Sequence, residues 1–321
     1  MKTRKIASLM TALAFLALLV GLGQGVATAK ERYEEKFQKT ETLPKDGKVY
    51  LKNISGDIKV VSWAEAQVKI DAVKYSRASS EKEAQEDFQK VTIEVIREGN
   101  TLRITTKYPE HRKFWKDESV DVSVDYSLWI PDQASLQIET VSGDTEIDAV
   151  GGALDIEAVS GDVTVQKVNK QAEINTVSGD LTLLDAAGDV HLKAISGTIR
   201  LDKVRGSVDA ETISGDIDVK EASQAKTVRI NALSGDVTFT GAISPDGRYS
   251  LKSHSGDIDI TIPADSSFEL EAETFSGSIN TEFKIEVSGS ISRKELHGVV
   301  NKGGTVLKLE TFSGTIRLRK R

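Results

Sequence analysis

A Ser-Gly step recurs through this chain on a spacing too regular for an ordinary globular domain. Ser142, Ser160, Ser178, Ser196 and Ser214 are each followed by Gly and lie 18 residues apart. The series continues at Ser234, Ser255 and Ser276, spaced 20, 21 and 21, and Ser313-Gly314 closes it. Ser55-Gly56-Asp57 stands apart near the front. A period of this length marks a solenoid, in which each repeat is one rung that buries its core only against its neighbours.

The apolar residues fall in register around each step. Six and four residues before the Ser stand Leu136 and Ile138, Leu154 and Ile156, Ala172 and Ile174, and Val190 and Leu192. Three and five residues after it stand Val163 and Val165, Leu181 and Leu183, and Ile199 and Leu201. Alternation on both sides of the step reads as two short, half-buried strands per rung. Immediately before the Ser, Val141, Val159, Val177, Ile195, Ile213 and Leu233 break that alternation. The break predicts a corner that keeps these residues inward, with Phe275, Phe312 and a partly buried His254 in the same slot. Val165 and Val168 predict a third short side. The fold class is therefore all-β: a parallel β-helix or β-solenoid with rungs of about 18–21 residues, stacked at the ~4.8 Å inter-strand distance. A left-handed hexapeptide helix would repeat its apolar residues every six; positions 154, 156, 159, 163, 165 and 168 do not, which favours the right-handed form.

Glycine admits the positive φ that a sharp corner requires. The predicted structural turns are Gly56, Gly143, Gly161, Gly179, Gly197, Gly215, Gly235, Gly256, Gly277 and Gly314. Asp after the Gly can hold the turn through nearby backbone groups. Thr198, Ser278 and Thr315 replace it in three rungs.

The start reads as an export signal over residues 1–29. Lys2, Arg4 and Lys5 precede an apolar run, Leu13 to Val20, and Ala27-Thr28-Ala29 offers a small-x-small cleavage site. A mature chain would begin near Lys30, exported to the periplasm, the cell surface or beyond. It carries no second apolar run long enough to span a bilayer. Loss of the three leader cations takes the formal charge from −7 to −10. Such an acidic chain is a poor nucleic-acid partner, because phosphate binding needs clustered cations. The basic tail Arg317, Arg319, Lys320 and Arg321 predicts a polar edge on the last rung that blocks end-to-end pairing.

Residues 30–131 read as a β-rich cap. Val49, Leu51, Ile58 and Val60 repeat the rung pattern around Ser55. Val68 to Tyr75 and Val120 to Ile130 predict strands, residues 79–90 a short helix, and Val91 to Ile96 with Leu102 to Thr106 a hairpin. The repeat solenoid occupies 132–321.

The order of these elements resembles a family of bacterial exported proteins of unknown function labelled putative adhesins. The resemblance rests on the opening Ser-Gly-Asp rung followed by Trp63, and on the strand, acidic helix and hairpin of 68–109. It also rests on the Ile130-Pro131 step, the Thr-Val-Ser-Gly-Asp repeats at Thr140 and Thr176, and the closing segment from Gly303-Gly304 to Leu318. The chain departs from that pattern at Glu282 to Lys302, where Ser288-Gly289 falls off the period. The resemblance implies an envelope-facing β-solenoid and brings no catalytic residues with it.

The chemistry-bearing residues give little purchase for catalysis. There is no Cys, and His111, His191, His254 and His297 are scattered. Stacked Asp144, Asp162 and Asp180, with Glu139, Asp155, Glu157 and Glu173 beside them, offer oxygens for Ca²⁺. Against this, the nonapeptide signature of calcium-binding β-rolls is missing, and an acidic face that simply solvates the rod is the plainer reading. Polysaccharide cleavage needs two carboxylates at a set separation; acids are plentiful, but sugar-stacking aromatics are nearly missing from the regular rungs. Gly303-Gly304 lacks the Lys-Ser/Thr of a phosphate loop. A mixed polar ladder, from Glu146 and Thr164 to Arg200 and Asp218, predicts a soluble flat face with Arg200 attracted to Asp218 in the next rung. The expectation is a non-enzymatic, adhesin-like binding or structural module without a cofactor, its partner an envelope polysaccharide or protein. The alternatives are a polysaccharide-active enzyme and an envelope-stress accessory that binds a protein.

Overall fold

The computed structural model describes residues 32–109, 120–222, 224–287, 292 and 294–321. The predicted export signal, His111 and Trp115 lie outside the described residues. Two long sheets, of 13 and 14 strands, enclose one apolar core. In the 14-stranded sheet, Leu136, Leu154, Ala172, Val190, Val208, Val228 and Tyr249 lie side by side in parallel register. In the 13-stranded sheet, Thr145, Val163, Leu181, Ile199, Ile217 and Val237 do the same. All of these are buried. Val150, Val168, Ala186 and Val204 meet in single parallel bridges and form the third short side, each at most 1% exposed.

The rungs do not stack in chain order throughout. Thr305–Ser313 pairs with Arg248–Ser255 on one side and with Phe268–Ser276 on the other. Ile316–Lys320 likewise lies between Ile258–Ile262 and Ile279–Thr281. The Ser313 rung is thus inserted between the Ser255 and Ser276 rungs, which corrects the expectation of a basic edge. Two arginines of the tail face acids in a rung they join, Arg317 meeting Asp257 at 2.7 Å and Asp259 at 3.1 Å and Arg319 meeting Asp259 at 3.2 Å, and Arg321 reaches further, to Glu221 of the Ser214 rung, at 2.8 Å. Opposite charges directly across a ladder favour this register.

At the front, the Ser55 rung stacks on the Ser142 rung, with Leu51 beside Ile138 and Val60 beside Ile147. Beyond it the sheets continue into non-repeat strands. Val122–Pro131 runs parallel to Ile58–Trp63 and then antiparallel to Gln67–Ser76, which pairs with Tyr33–Thr42. The hairpin Thr92–Glu98 and Thr101–Lys107 extends the other sheet. The helix runs from Glu81 to Lys90, with the Ser80 hydroxyl accepting the Glu83 amide as an N-cap. Its apolar Ala84 and Phe88 are buried. The Lys74 ammonium, nearly buried, donates to the Phe88 carbonyl at 2.9 Å and meets Glu35 at 2.7 Å. It ties the helix end to the cap sheet.

Candidate functional site

The strands that precede each Ser-Gly step keep a strict in-out alternation up to the residue before the Ser. Two residues before the Ser, the small Thr140, Ala158, Thr176, Ala194, Thr212 and Ala232 point inward and are 4–6% exposed. One residue before the Ser, the side chain therefore points out. Val141, Val159, Val177, Ile195, Ile213 and Leu233 are 43–53% exposed, and Ile54, Phe312 and Phe275 are 40%, 48% and 66% exposed. His254 in the same slot is exposed as well. This corrects the inward assignment of the slot. The corner comes after the Ser, and the inward space beside it admits only small residues. A β-branched or aromatic residue outside is half-covered by its neighbours above and below and open on its outer side.

The result is an outward apolar ladder along the stack, running Ile54, Val141, Val159, Val177, Ile195, Ile213, Leu233, His254, Phe312, Phe275. The residues three before each Ser form a parallel polar ridge that includes Lys52, Glu139, Glu157, Lys193 and Glu211. Between ridge and ladder lies an open groove of about 960 Å³, reaching from the Ile54 rung to the Ile213 rung. Its length is five rung steps, roughly 24 Å. An apolar strip this long on an otherwise polar surface is the kind of feature that marks a contact site.

The aromatic end of the ladder is a closed stack. His254 and Phe312 are parallel with centroids 4.9 Å apart, and Phe312 and Phe275 follow at 4.7 Å. Lys294 sits 5.6 Å over the Phe275 ring. Ring faces are turned to one another and to a cation, so the stack presents edges outward. A sugar ring that stacks on an aromatic needs a free face.

The glycine turns and their aspartates serve the stack itself. Gly179 has φ 125°, and the other turn glycines fall between 112° and 159°. Gly277 alone lies outside that range; there a side chain is excluded because its Cβ would sit 1.9 Å from the Gly314 carbonyl oxygen. Each turn Asp accepts the amide of the equivalent residue in the next rung. Asp57 takes Asp144, Asp144 takes Asp162, Asp162 takes Asp180 and Asp180 takes Thr198, at 2.8–3.0 Å. The relay resumes from Asp216 to Asp236, Asp257 and Thr315 at 2.7–2.8 Å. Thr198 and Thr315 can replace Asp because donating such a bond needs only a backbone N–H. The stacked carboxylates, weighed as calcium ligands against the plainer reading of a solvating face, are strung one rung apart with one oxygen of each already engaged. Among the described residues, the carboxylates and imidazole that do converge are Glu273, Glu295 and His297, at the exposed far end. Arg200 reaches back to Asp180 at 2.7 Å rather than to Asp218.

These bonds carry a pH dependence. The Arg200 guanidinium and the Thr198 amide hold the Asp180 carboxyl below the usual carboxylate range. The Thr315 amide, helped by Arg317 and opposed by partial burial, does the same at Asp257. A folded value below the unfolded one gives stability that is full above the unfolded value, about pH 3.9, and is lost as pH falls through the folded one. The melting temperature is expected to drop as pH is lowered from about 4 towards 2, and to drop less in D180N/D257N. A variant that tracks the wild-type slope would show that these carboxylates are not the groups being protonated.

The chain matches a known family along nearly its whole described length. Residues 31–194, 94–244 and 241–319 each match Toastrack DUF4097. The chain belongs to the Toastrack family. Solved structures similar to this Toastrack chain include a putative adhesin from Bacteroides fragilis, 12% identical, covering 88% of this chain and 97% of that one, with a TM-score of 0.41. A putative lipid binding protein from Parabacteroides distasonis is 14% identical, covering 89% and 97%, with a TM-score of 0.47. A putative cell adhesion protein from Clostridium sporogenes is 10% identical, covering 89% and 100%, with a TM-score of 0.21. No curated protein matches the sequence. Among the described residues of this Toastrack chain, no helix is long and apolar enough to cross a membrane.

The ladder is the feature that the sequence pattern placed on the wrong side of the sheet. Its signal was present in the small residue two before each Ser. Read as the inward position, Thr140, Ala158, Thr176 and Ala194 restore strict alternation and turn Val141, Val159, Val177 and Ile195 outward.

Proposed function

We propose that this chain is a non-catalytic, adhesin-like binding or structural module of the bacterial cell envelope, and that it contacts protein surfaces through its outward apolar ladder. The exposed ladder carries the proposal. Its residues are aliphatic over most of its length, and its aromatic rings present edges, which suits an apolar protein surface better than a glycan. A rigid stack repeats the same contact at each rung, so weak contacts add along its length. Export, by the leader-like residues 1–29, would deliver it to the envelope.

Two of the acids beside the ladder are poorly suited to act as a general acid. A general acid needs a raised carboxyl. The Lys52 ammonium holds Glu139 below the ordinary range. At Glu310 partial burial pushes upward, but the bonds from Lys252 and Lys308 outweigh it.

Photo-crosslinking in the host envelope tests the reading. A benzoylphenylalanine at Ile195, on the ladder, is expected to give adducts of higher mass, and one at Thr164, on the polar sheet face, is not. Absence of adducts from position 195 would overturn the proposed contact surface. Release of reducing sugar from purified envelope polysaccharide would overturn the non-catalytic assignment.

A further inference from the structure

We infer that the apolar ladder is covered by a second copy of this chain, packed face to face with its rungs in reversed order. The inference rests on the reading of the ladder as a protein-contact surface and names the partner. In stacking order the ladder has ten rungs, and its midpoint falls between the Ser196 and Ser214 rungs. A two-fold axis along the strand direction at that midpoint lays each slot on the same slot of the partner and reverses the rung order. The first rung then meets the tenth, and the fifth meets the sixth.

Shape favours this arrangement. The ladder is thin at one end, where Val141, Val159 and Val177 stand, and thick at the other, where Leu233, His254 and Phe312 stand. Reversal sets thin against thick along the whole length and Ile195 against Ile213 at the axis. Rungs in the same order would instead require an axis along the stack, which lays valine on valine at one end and ring on ring at the other, so the two ladders would meet unevenly along their length.

Charge favours it too. On the polar ridge, reversal brings Lys193 against Glu211, Glu157 against Lys252 and Lys52 against Glu273, each pair occurring twice. One row further out, Glu173 meets Arg229. The single like-charged encounter, Glu139 with Glu310, joins two carboxylates that already hold lysines of their own, Lys52 at 2.7 Å and Lys252 at 2.6 Å. Nine rung steps at ~4.8 Å by four residue steps at ~3.3 Å give a face of roughly 600 Å² per copy and about 1,200 Å² in total. That reaches the lower end of specific interfaces.

The pair Glu157 and Lys252 tests both partner and register, because within one chain these residues lie five rungs apart, roughly 24 Å, and do not touch. In sedimentation equilibrium the full mature chain is expected to dimerise. E157K and K252E each place like charges together at two points of the interface, so each is expected to weaken the dimer at least tenfold. An equimolar mixture of the two variants restores both pairs and is expected to return to within about threefold of wild type. I213E, at the axis, is expected to be monomeric, with circular dichroism confirming the fold of every variant. A wild-type chain that stays monomeric at about 100 µM would overturn the inference. So would a mixture that fails to recover, or single variants that dimerise like wild type. If the chain is monomeric while benzoylphenylalanine at 195 yields adducts of a mass other than twice its own, the inference fails and the contact-surface reading stands.

Discussion

Replacing Gly179 by Val is expected to destabilise the protein by roughly 3 kcal/mol or more. Two independent costs meet at this position. The backbone φ is 125°, which a β-branched residue resists. A Cβ there would also lie 2.1 Å from the Gly161 carbonyl oxygen and 2.6 Å from its carbon, so the rungs would have to part. The second cost begins with the first carbon, and Gly179→Ala is therefore expected to destabilise strongly as well. Gly99 supplies the comparison. It has φ 61° in the hairpin turn with nothing within 4 Å of a Cβ, so Gly99→Ala carries only the conformational cost, about 1–2 kcal/mol. Urea midpoints at constant m measure all three. A Gly179→Ala variant no less stable than Gly99→Ala would show that close approach between rungs is not what the glycines provide.

Leu309→Asp is expected to cost about 3–5 kcal/mol, as much as a charge buried without a partner anywhere in the interior. Leu309 belongs to the last Ser-Gly rung in the chain, and chain order alone would place it at a fraying edge. In the structure it is fully buried between Leu251 and Ala272. Inserting this rung between its two predecessors gives it a neighbour on each side, so the charge would disrupt three rungs. A loss of less than about 1 kcal/mol in the urea midpoint would fit a terminal, fraying strand and contradict the inserted order.

These cases show which parts of the fold a sequence of this kind exposes. Local periodicity revealed the rung, its inward residues such as Ile156 and Val165, the third side at Val168 and the hairpin around Gly99, because each depends on residues close in the chain. The place of the Ser313 rung depends on which neighbour its edges meet, and all rungs share one register, so the repeat itself does not encode it. An Arg that finds its acid supplies a hint in retrospect. Arg317 falls in the slot beside Asp259, whereas stacking on the Ser276 rung alone would leave it beside Asn280. The turn aspartates were legible as turn-holding residues. Their bond to the next rung's amide was not, because that amide lies 18 or more residues away. The outward ladder was misread because apolar character was weighed above parity. At a corner too narrow for a large side chain, parity decides: Ala194 goes in and Ile195 goes out.

The most direct test of the account is chemical labelling on this strand. The chain has no cysteine, so one introduced thiol reports one position. Ile195→Cys and Leu192→Cys are treated with a maleimide in native buffer, at concentrations where the chain sediments as a monomer. The account predicts that the thiol at 195 reacts about as fast as in the unfolded chain, and that the thiol at 192 reacts only when the protein unfolds. Equal protection of both would place Ile195 in the core, and the ladder and everything drawn from it would fall.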